Sequence, residues 1–321
     1  MPQTYAIESF LSGLYTDEYL AAEGASIIAA CEADIENPGI IQKIKARIKQ
    51  FIEWVKKLIE AIRTKFRAII AKLHKVKNTK LGRLLPKKAN DNDGKMREYR
   101  EKETKITAKE ENVEAVIALE SIYNTLLAKG FKAQVSILYE SFMELVKLMS
   151  QSPTQHHYFE ELNEFLARNR DEGMDNSRKF YDEMHAKLVE ITFSKDVDSA
   201  DHYTDDPSGR SPEFDAVKDY TREYNDALTM STNMEGILHD IDHMAQNASN
   251  AMKSLQNFAD AAIGMGVLNG EGCQKINAGV SLATKYMGLI NDYFQLAVSA
   301  SIKSMAAVNA FYPITLFVPK N

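Results

Sequence analysis

The sequence predicts an all-α protein, and three observations lead to that prediction. Ala, Glu, Lys, Leu, Met and Ile are abundant among the 321 residues, whereas only 15 Gly and 8 Pro occur, mostly between long periodic stretches. Apolar residues recur at three- and four-residue steps, which is the period of an amphipathic helix. The last third follows a heptad pattern. We therefore expect almost no sheet, and predict a long basic amphipathic helix, a central helical bundle and a long C-terminal antiparallel helical hairpin.

Residues 1–37 form an acidic leader that contains seven Asp or Glu and no Lys or Arg. Two short helical patterns occupy this leader, from Tyr5 to Leu20 and from Ser26 to Ile35. Because a strongly basic segment follows directly, we expect acids of the leader to pair with it inside the molecule. Exposed ion pairs of this kind contribute only about 0 to 1 kcal/mol each.

Residues 38–77 are predicted to form one basic amphipathic helix of about 40 residues, on the order of 60 Å long. From Pro38 to Lys88 the chain carries sixteen Lys or Arg against Glu53 and Glu60, within a protein of net charge −6. The rest of the chain therefore carries a charge of about −20. One face of this helix is apolar and consists of Ile40, Ile41, Ile44, Ile48, Phe51, Ile52, Val55, Leu58, Ile59, Ile62, Phe66, Ile69, Ile70 and Leu73.

Three interpretations of the basic helix are open. It can pack its apolar face inside the protein and leave the lysines solvated. It can lie in an anionic membrane interface, with Phe51, Trp54 and Phe66 inserted. It can also contact nucleic acid through the phosphates, without base specificity. The residues expected to contact a membrane or nucleic acid are Lys43, Lys45, Arg47, Lys49, Trp54, Lys56, Lys57, Arg63, Lys65, Arg67 and Lys72.

The middle of the chain is predicted to be a helical bundle between two linkers. Residues 78–95 are rich in helix breakers and form the first linker, and the acidic, turn-rich residues 194–212 form the second. The bundle spans 96–193, with short connections that favour antiparallel neighbours. Its four predicted helices run from Met96 to Lys129, Lys132 to Ser150, Thr154 to Asn169 and Asn176 to Phe193.

Residues 213–321 are predicted to form a coiled-coil-like hairpin with an extended tail from Tyr312 to Asn321. Fourteen positions over seven heptads carry no charge and define a seam. They are Val217, Tyr220, Tyr224, Ala227, Ser231, Met234, Leu238, Ile241, Ala245, Ala248, Met252, Leu255, Ala259 and Ala262. A Gly-rich turn separates this seam from a return helix. One face of that helix consists of Ile276, Val280, Ala283, Met287, Ile290, Phe294, Ala297, Ser301 and Val308.

No catalytic site is predicted. The chain lacks GxGxxG, P-loop, GxSxG and HExxH motifs, so we expect no enzyme, no cofactor and no small-molecule substrate. His239 and His243 have a spacing that can chelate a divalent metal, but the heptad frame places them outside the seam, and a solvated polar face is favoured over a metal site. Cys31 and Cys273 lack any paired spacing and are expected to be reduced thiols.

Roughly the first 75 residues resemble the internal virion and prohead proteins of large tailed bacteriophages. The residues that carry the resemblance are Ala6-Ile7-Glu8-Ser9-Phe10-Leu11, then Leu20-Ala21-Ala22-Glu23-Gly24, then the Lys-, Ile- and Phe-rich helix. The resemblance implies a propeptide that a prohead protease removes by cutting after Glu in short motifs. Ala21-Ala22-Glu23 and Ala30-Cys31-Glu32 match such a motif, which makes Glu23 and Glu32 the expected cleavage positions.

Two functions from different classes follow from these features. The first is a non-enzymatic phage virion protein, internal or structural, that contacts packaged DNA or the host membrane through the basic helix. The resemblance places such a protein in the virion, and in the host cytoplasm during assembly, with other virion proteins or further copies of itself as partners. The alternative is a membrane-active helical effector or pore-former, in which the basic helix and the tip from Ala261 to Leu268 insert.

Overall fold

The chain is predominantly helical over the residues that the structure describes. The computed structural model describes residues 15–33, 40–84, 100–152, 155–169, 174–194, 217–232, 234–261 and 269–319. In these ranges the helices are α1 Tyr15–Ala33, α2 Ile40–Leu84, α3 Glu110–Tyr123, α4 Lys132–Gln151, α5 His156–Arg168, α6 Asp175–Glu190, α7 Thr221–Thr232, α8 Met234–Ala261 and α9 Gly270–Ala310. A π-helical segment, Asn124–Phe131, joins α3 to α4. The predicted helical class is confirmed for this part of the chain.

Two strands, β1 (Arg100–Thr107) and β2 (Tyr312–Pro319), form a small antiparallel sheet. Arg100 pairs with Pro319, and Thr107 pairs with Tyr312. The prediction of a helix from Met96 to Lys129 is therefore wrong over β1, and the helix begins only at Glu110. The tail predicted to be extended forms β2, and its backbone groups need hydrogen-bonding partners. β1 supplies those partners, which explains why this segment is a strand and not a helix.

Helices α1 and α2 also differ from their predicted bounds. Helix α1 continues through Gly24, where two separate helices were predicted, and the predicted residues Tyr5 to Leu14 lie outside the described ranges. Helix α2 continues to Leu84, past the predicted end at Lys77 and into the first predicted linker. A single glycine, Gly82, does not end the helix, and no proline occurs in the chain between Pro38 and Pro86. Most of the predicted linkers 78–95 and 194–212 lies outside the described residues.

Contacts divide the chain into two compact units. The first comprises Met1–Lys65, Lys129–Glu183 and Ile237–Leu296, and the second comprises Phe66–Ala128, Met184–Gly236 and Ala297–Asn321.

In the first unit, α2, α4, α8 and α9 surround a small apolar cavity. The cavity has a volume of about 20 Å³, far below the several hundred Å³ of a typical ligand pocket. It is lined by Ile59, Ile62, Tyr139, Ile241, Met244, Ala245, Met287, Ile290 and Phe294. The Tyr139 hydroxyl donates a hydrogen bond to the Met244 carbonyl oxygen at 2.8 Å, and its ring stacks on Phe142 with centroids 6.2 Å apart. The hydrogen bond ties α4 to α8, and the ring stack lies within α4.

In the second unit, β1 is held by the residues that precede α7. The Ile106 N–H donates to an Asp219 carboxylate oxygen at 3.1 Å, and the Tyr220 N–H donates to the Ile106 carbonyl oxygen at 2.7 Å. Lys303 donates to the carbonyl oxygens of Val189 and Ile191 at the end of α6. A cation at that position stabilises carbonyl groups that have no partner within the helix.

The predicted heptad positions are largely buried. Tyr224, Ala227, Ser231, Ile241, Ala248, Met252, Leu255 and Ala259 are buried, and Val217, Tyr220, Leu238 and Ala245 are half-buried. The side chains of the other two positions, Met234 and Ala262, lie outside the described set. All nine positions of the predicted face of the return helix are buried in α9. The periodicity therefore identified the faces that pack.

Candidate nucleic-acid interface on the basic helix

Helix α2 separates an apolar side from a cationic side. Every described side chain of the predicted apolar face, from Ile44 to Ile70, is buried or half-buried. In the first unit, the exposed cations on α2 are Lys43, Lys45, Lys49, Lys56 and Lys57, and the half-buried ones are Arg47, Arg63 and Lys65. Arg67, which is exposed, and Lys72, which is half-buried, belong to the second unit. The structure thus agrees with the interpretation in which the apolar face packs inside the protein.

Trp54 lies inside the protein and does not face solvent. Its side chain is 2% exposed, and its indole N–H donates a hydrogen bond to the Leu20 carbonyl oxygen of α1 at 2.8 Å. Phe51 and Phe66 are fully buried as well. In this conformation none of the three aromatic residues is available for insertion into a membrane interface.

Gly24 allows Trp54 to reach the backbone of α1. A Cβ atom at position 24 would lie 2.8 Å from Cζ2 of Trp54, a distance that real Cβ contacts essentially never show, and 3.1 Å from Cε2. The Leu20 carbonyl also lies one helical turn before residue 24. A side chain at this position would therefore displace the indole from its acceptor.

Acidic side chains already contact several of the cations. Lys57 Nζ lies 3.0 Å from a carboxylate oxygen of Glu23 on α1, and Lys45 Nζ lies 2.9 Å from Asp260 on α8. Arg63 contacts Asp242 at 2.7 Å. The predicted pairing between the acidic leader and the basic helix is confirmed at Glu23. The Glu23 side chain is only 16% exposed, whereas that of Asp260 is 53% exposed.

Asn277 of α9 joins α1 to α2. Its side-chain oxygen accepts a hydrogen bond from the Arg47 guanidinium at 3.1 Å, and its amide donates to the Cys31 carbonyl oxygen at 2.5 Å. That carbonyl is in the last turn of α1, where the helix itself supplies no donor. Beside it, Lys285 Nζ contacts Glu32 at 2.7 Å. Asn277 is fully buried, so its two contacts fix the C-terminal end of α1.

Lys65 differs from the exposed lysines. Its ammonium group donates to the side-chain oxygen of Gln295 at 3.4 Å, and burial lowers its pKa to about 8. A cation that is partly buried and has a lowered pKa is less suited to phosphate binding than the exposed lysines are. Among the sequence-predicted cations of the first unit, Lys43, Lys45, Lys49, Lys56 and Lys57 form the surface that an external polyanion can reach; we call these five residues the lysine face.

The two expected cleavage positions lie in α1. The bond between Glu23 and Gly24 is in the middle of the helix, and Gly24 is buried. Glu32 is exposed and precedes the last residue of the helix. A protease binds its substrate as an extended strand, so cleavage after Glu23 requires α1 to unwind locally.

The other candidate groups from the sequence are two histidines and two cysteines. His239 and His243 are exposed on α8, while the neighbouring Asp242 contacts Arg63. Across the described ranges, no three His, Cys, Asp or Glu side chains come together in a way that could hold a metal ion. Cys31 and Cys273 are free, as predicted; both are also buried, and burial raises the pKa of Cys31 to about 11.

Sequence reasoning did not identify the roles of Gly24 and Asn277. Gly24 interrupts an otherwise helical pattern, which was the signal available, but its partner Trp54 is 30 residues away along the chain. Asn277 carries no local signal at all.

None of the helices in the described residues is both long and apolar enough to cross a membrane. The chain matches no protein-family model, no curated protein and no solved structure.

Proposed function

We propose that this chain is a non-enzymatic structural protein of a phage virion whose lysine face contacts packaged DNA. The observation that carries this proposal is the division of α2: its lysines are exposed, while Phe51, Trp54 and Phe66 are buried. Phosphate binding needs only exposed cations, whereas insertion into a membrane interface also needs exposed apolar side chains. The DNA contact is therefore favoured in this conformation.

The remaining features of the proposal concern assembly and location. The resemblance over roughly the first 75 residues supports a place in the virion, with assembly in the host cytoplasm and removal of the leader after Glu23 or Glu32. We assign α8 and α9 to the predicted antiparallel hairpin, and the helical part of residues 96–193, which excludes β1, to the predicted bundle. The hairpin serves assembly with other virion proteins or with further copies of this chain. No cofactor or small-molecule substrate enters this proposal.

The alternative is a membrane-active helical protein, and one observation favours it. The aromatic side chain of Trp54 is covered by α1, since its indole N–H donates to the Leu20 carbonyl oxygen and its ring lies against Gly24. If α1 detaches, Trp54 becomes exposed beside the lysine face. An exposed tryptophan next to lysines suits binding to an anionic membrane interface.

Binding of the full chain to labelled DNA duplexes tests the proposal. We expect fluorescence anisotropy to report an affinity that is indifferent to sequence and falls roughly tenfold or more between 50 and 200 mM salt, because each phosphate contact releases counterions. The triple variant Lys43→Gln, Lys49→Gln, Lys56→Gln should bind more weakly and with a shallower salt dependence. A matched triple variant of exposed lysines elsewhere, Lys179→Gln, Lys187→Gln, Lys253→Gln, serves as the control. A flat salt response, or an equal loss in both triple variants, contradicts a DNA contact through this face.

A further inference from the structure

Helix α1 contacts the rest of the first unit through hydrogen-bond acceptors. In four polar contacts the donors are Trp54, Lys57, Asn277 and Lys285. The acceptors on α1 are the Leu20 carbonyl, the Glu23 carboxylate, the Cys31 carbonyl and the Glu32 carboxylate. Two of these acceptors are anions. Chemically, α1 presents to α2 and α9 the same kind of groups that a phosphate backbone presents.

The apolar contact of α1 is narrow. Its buried positions are Leu20, Gly24, Ile27 and Cys31, which recur at steps of four, three and four residues and form a single strip. Gly24 contributes no side chain, so among residues 18–33 the fully buried apolar side chains are those of Leu20, Ile27 and Cys31, while Ile28 and Ala30 are half-buried. Elements with few buried apolar contacts open locally at a lower free energy than the core does. Helix α1 is therefore an element that can detach while the other helices stay folded.

Glu23 occupies a position that an external anion would otherwise take. Its carboxylate contacts Lys57 at 3.0 and 3.3 Å, and Lys57 is a member of the lysine face. Glu53 and Asp260 contact other lysines of this face, but about half of each of their side chains is exposed to solvent, whereas Glu23 is enclosed. Lys57 is half-exposed, so the pair is enclosed only on the Glu23 side, and water and salt screen it less than the pairs in which both partners are exposed. Glu23 is thus the strongest competitor of the three.

We propose that α1 is an internal competitor for nucleic-acid phosphates: docked α1 weakens binding to the lysine face, and its release strengthens binding. This inference rests on the proposed DNA contact and adds its regulation. Release frees Lys57 for one more phosphate, which steepens the dependence of log affinity on log salt by about 0.9 for duplex DNA. It also exposes Trp54, the only tryptophan in the chain, so fluorescence reports the docked state directly.

The first experiment compares Glu23→Gln with Glu18→Gln in the full chain. Both substitutions remove one negative charge from α1, and Glu18 is exposed on the same helix. We expect Glu23→Gln to raise the affinity for a DNA duplex several-fold at 50 mM salt and to steepen the salt dependence, whereas Glu18→Gln changes the affinity less than twofold. Equal effects of the two variants would mean that only net charge matters, and would overturn the inference.

The second experiment detaches α1 without a change in charge. Leucine at position 24 fills the space that the indole needs, so Gly24→Leu should shift the Trp54 emission to longer wavelength and speed the reaction of Cys31 with a thiol reagent in a Cys273→Ser background. Circular dichroism checks that the other helices remain. We expect DNA affinity to rise at least as much as in Glu23→Gln. A red shift without a rise in affinity would overturn the inference, and if the emission does not move, the comparison of Glu23→Gln with Glu18→Gln decides.

A binding experiment with anionic phosphatidylserine vesicles distinguishes lipid headgroups from nucleic-acid phosphates as the anions that bind the uncovered surface. Vesicle binding by Gly24→Leu with a blue shift of Trp54, together with unchanged DNA affinity, would assign the uncovered surface to lipid and overturn the inference. DNA binding by the unmodified protein that neither variant strengthens would overturn the inference alone. DNA binding by none of these proteins would overturn the proposed function, and the inference with it.

Discussion

At the scale of single residues, the contact between Gly24 and Trp54 determines how α1 lies on α2. A helix interior usually disfavours glycine by about 1 kcal/mol relative to alanine, so Gly24 has a local cost in α1. The tertiary contact offsets that cost, because the indole N–H reaches the Leu20 carbonyl only where no Cβ intervenes. A residue that looks like a helix breaker in the sequence is thus a packing residue in the fold.

We predict that Gly24→Ala destabilises the docked α1, despite the better helix propensity of alanine. The new methyl group must displace a rigid, buried ring, and overpacking of this kind typically costs about 1 to 3 kcal/mol. Gly288→Ala is the matched control, since a Cβ there meets nothing within 4 Å and should stabilise the protein by about 0.5 to 1 kcal/mol. Urea unfolding followed by Trp54 emission and by circular dichroism measures both effects. Stabilisation by Gly24→Ala as large as that by Gly288→Ala would contradict the close approach of the indole.

At the scale of elements, periodicity alone was sufficient to find the packed faces. The heptad positions of α7 and α8 and the face of α9 were assigned from spacing, and their burial agrees with that assignment. Spacing is a local property, so a helix face can be read without knowledge of its partner. The sheet could not be found in this way, because β1 pairs with a segment more than 200 residues later in the chain. Its Lys- and Glu-rich sequence favours a helix in isolation, and the distant strand overrides that preference.

The heptad frame of α8 leads to a second prediction. Ile241 is 3% exposed, and its removal leaves a cavity, so Ile241→Ala should lower the free energy of unfolding by roughly 2 to 5 kcal/mol. His239→Ala and His243→Ala change exposed side chains on the same helix and should stay within about 0.5 kcal/mol. Denaturant unfolding of the full chain compares the three variants. If the histidine variants are the less stable ones and a chelator reproduces their effect, a metal bound by these histidines becomes the better explanation.

At the scale of the whole molecule, the sequence predicted the separation of charge but not which groups meet. The acidic leader and the basic helix are evident from composition, whereas the partners of Lys57 and Arg47 depend on the packing of α1 and α9 against α2. Asn277 illustrates the limit, because a buried amide that bridges two other helices leaves no periodic or compositional trace. The lysine face was therefore predictable as a cationic helix surface, and its coverage by α1 was not.

Removal of the leader would change how α1 covers the lysine face. Cleavage after Glu23 separates the Leu20 carbonyl and the Glu23 carboxylate from the rest of the chain, and both contact α2. The remaining part of α1 keeps Ile27 and Cys31 as buried apolar residues. Because the bond after Glu23 lies inside a docked helix, cleavage has to occur before α1 docks or while it is detached. Loss of these two acceptors would then keep α1 from covering Lys57 again.

We predict that chains from mature particles begin at Gly24 or Ala33, the residues that follow Glu23 and Glu32. N-terminal mass spectrometry of the protein from its native source measures this directly, and the unassembled protein from the same host is the control, which should retain its leader. Particle-derived chains should also bind DNA more tightly than the unassembled form, with a salt dependence steeper by about 0.9 for each additional phosphate that they neutralise. A leader retained in mature particles would remove the support for processing, while the competition between Glu23 and phosphate would still be decided by Glu23→Gln.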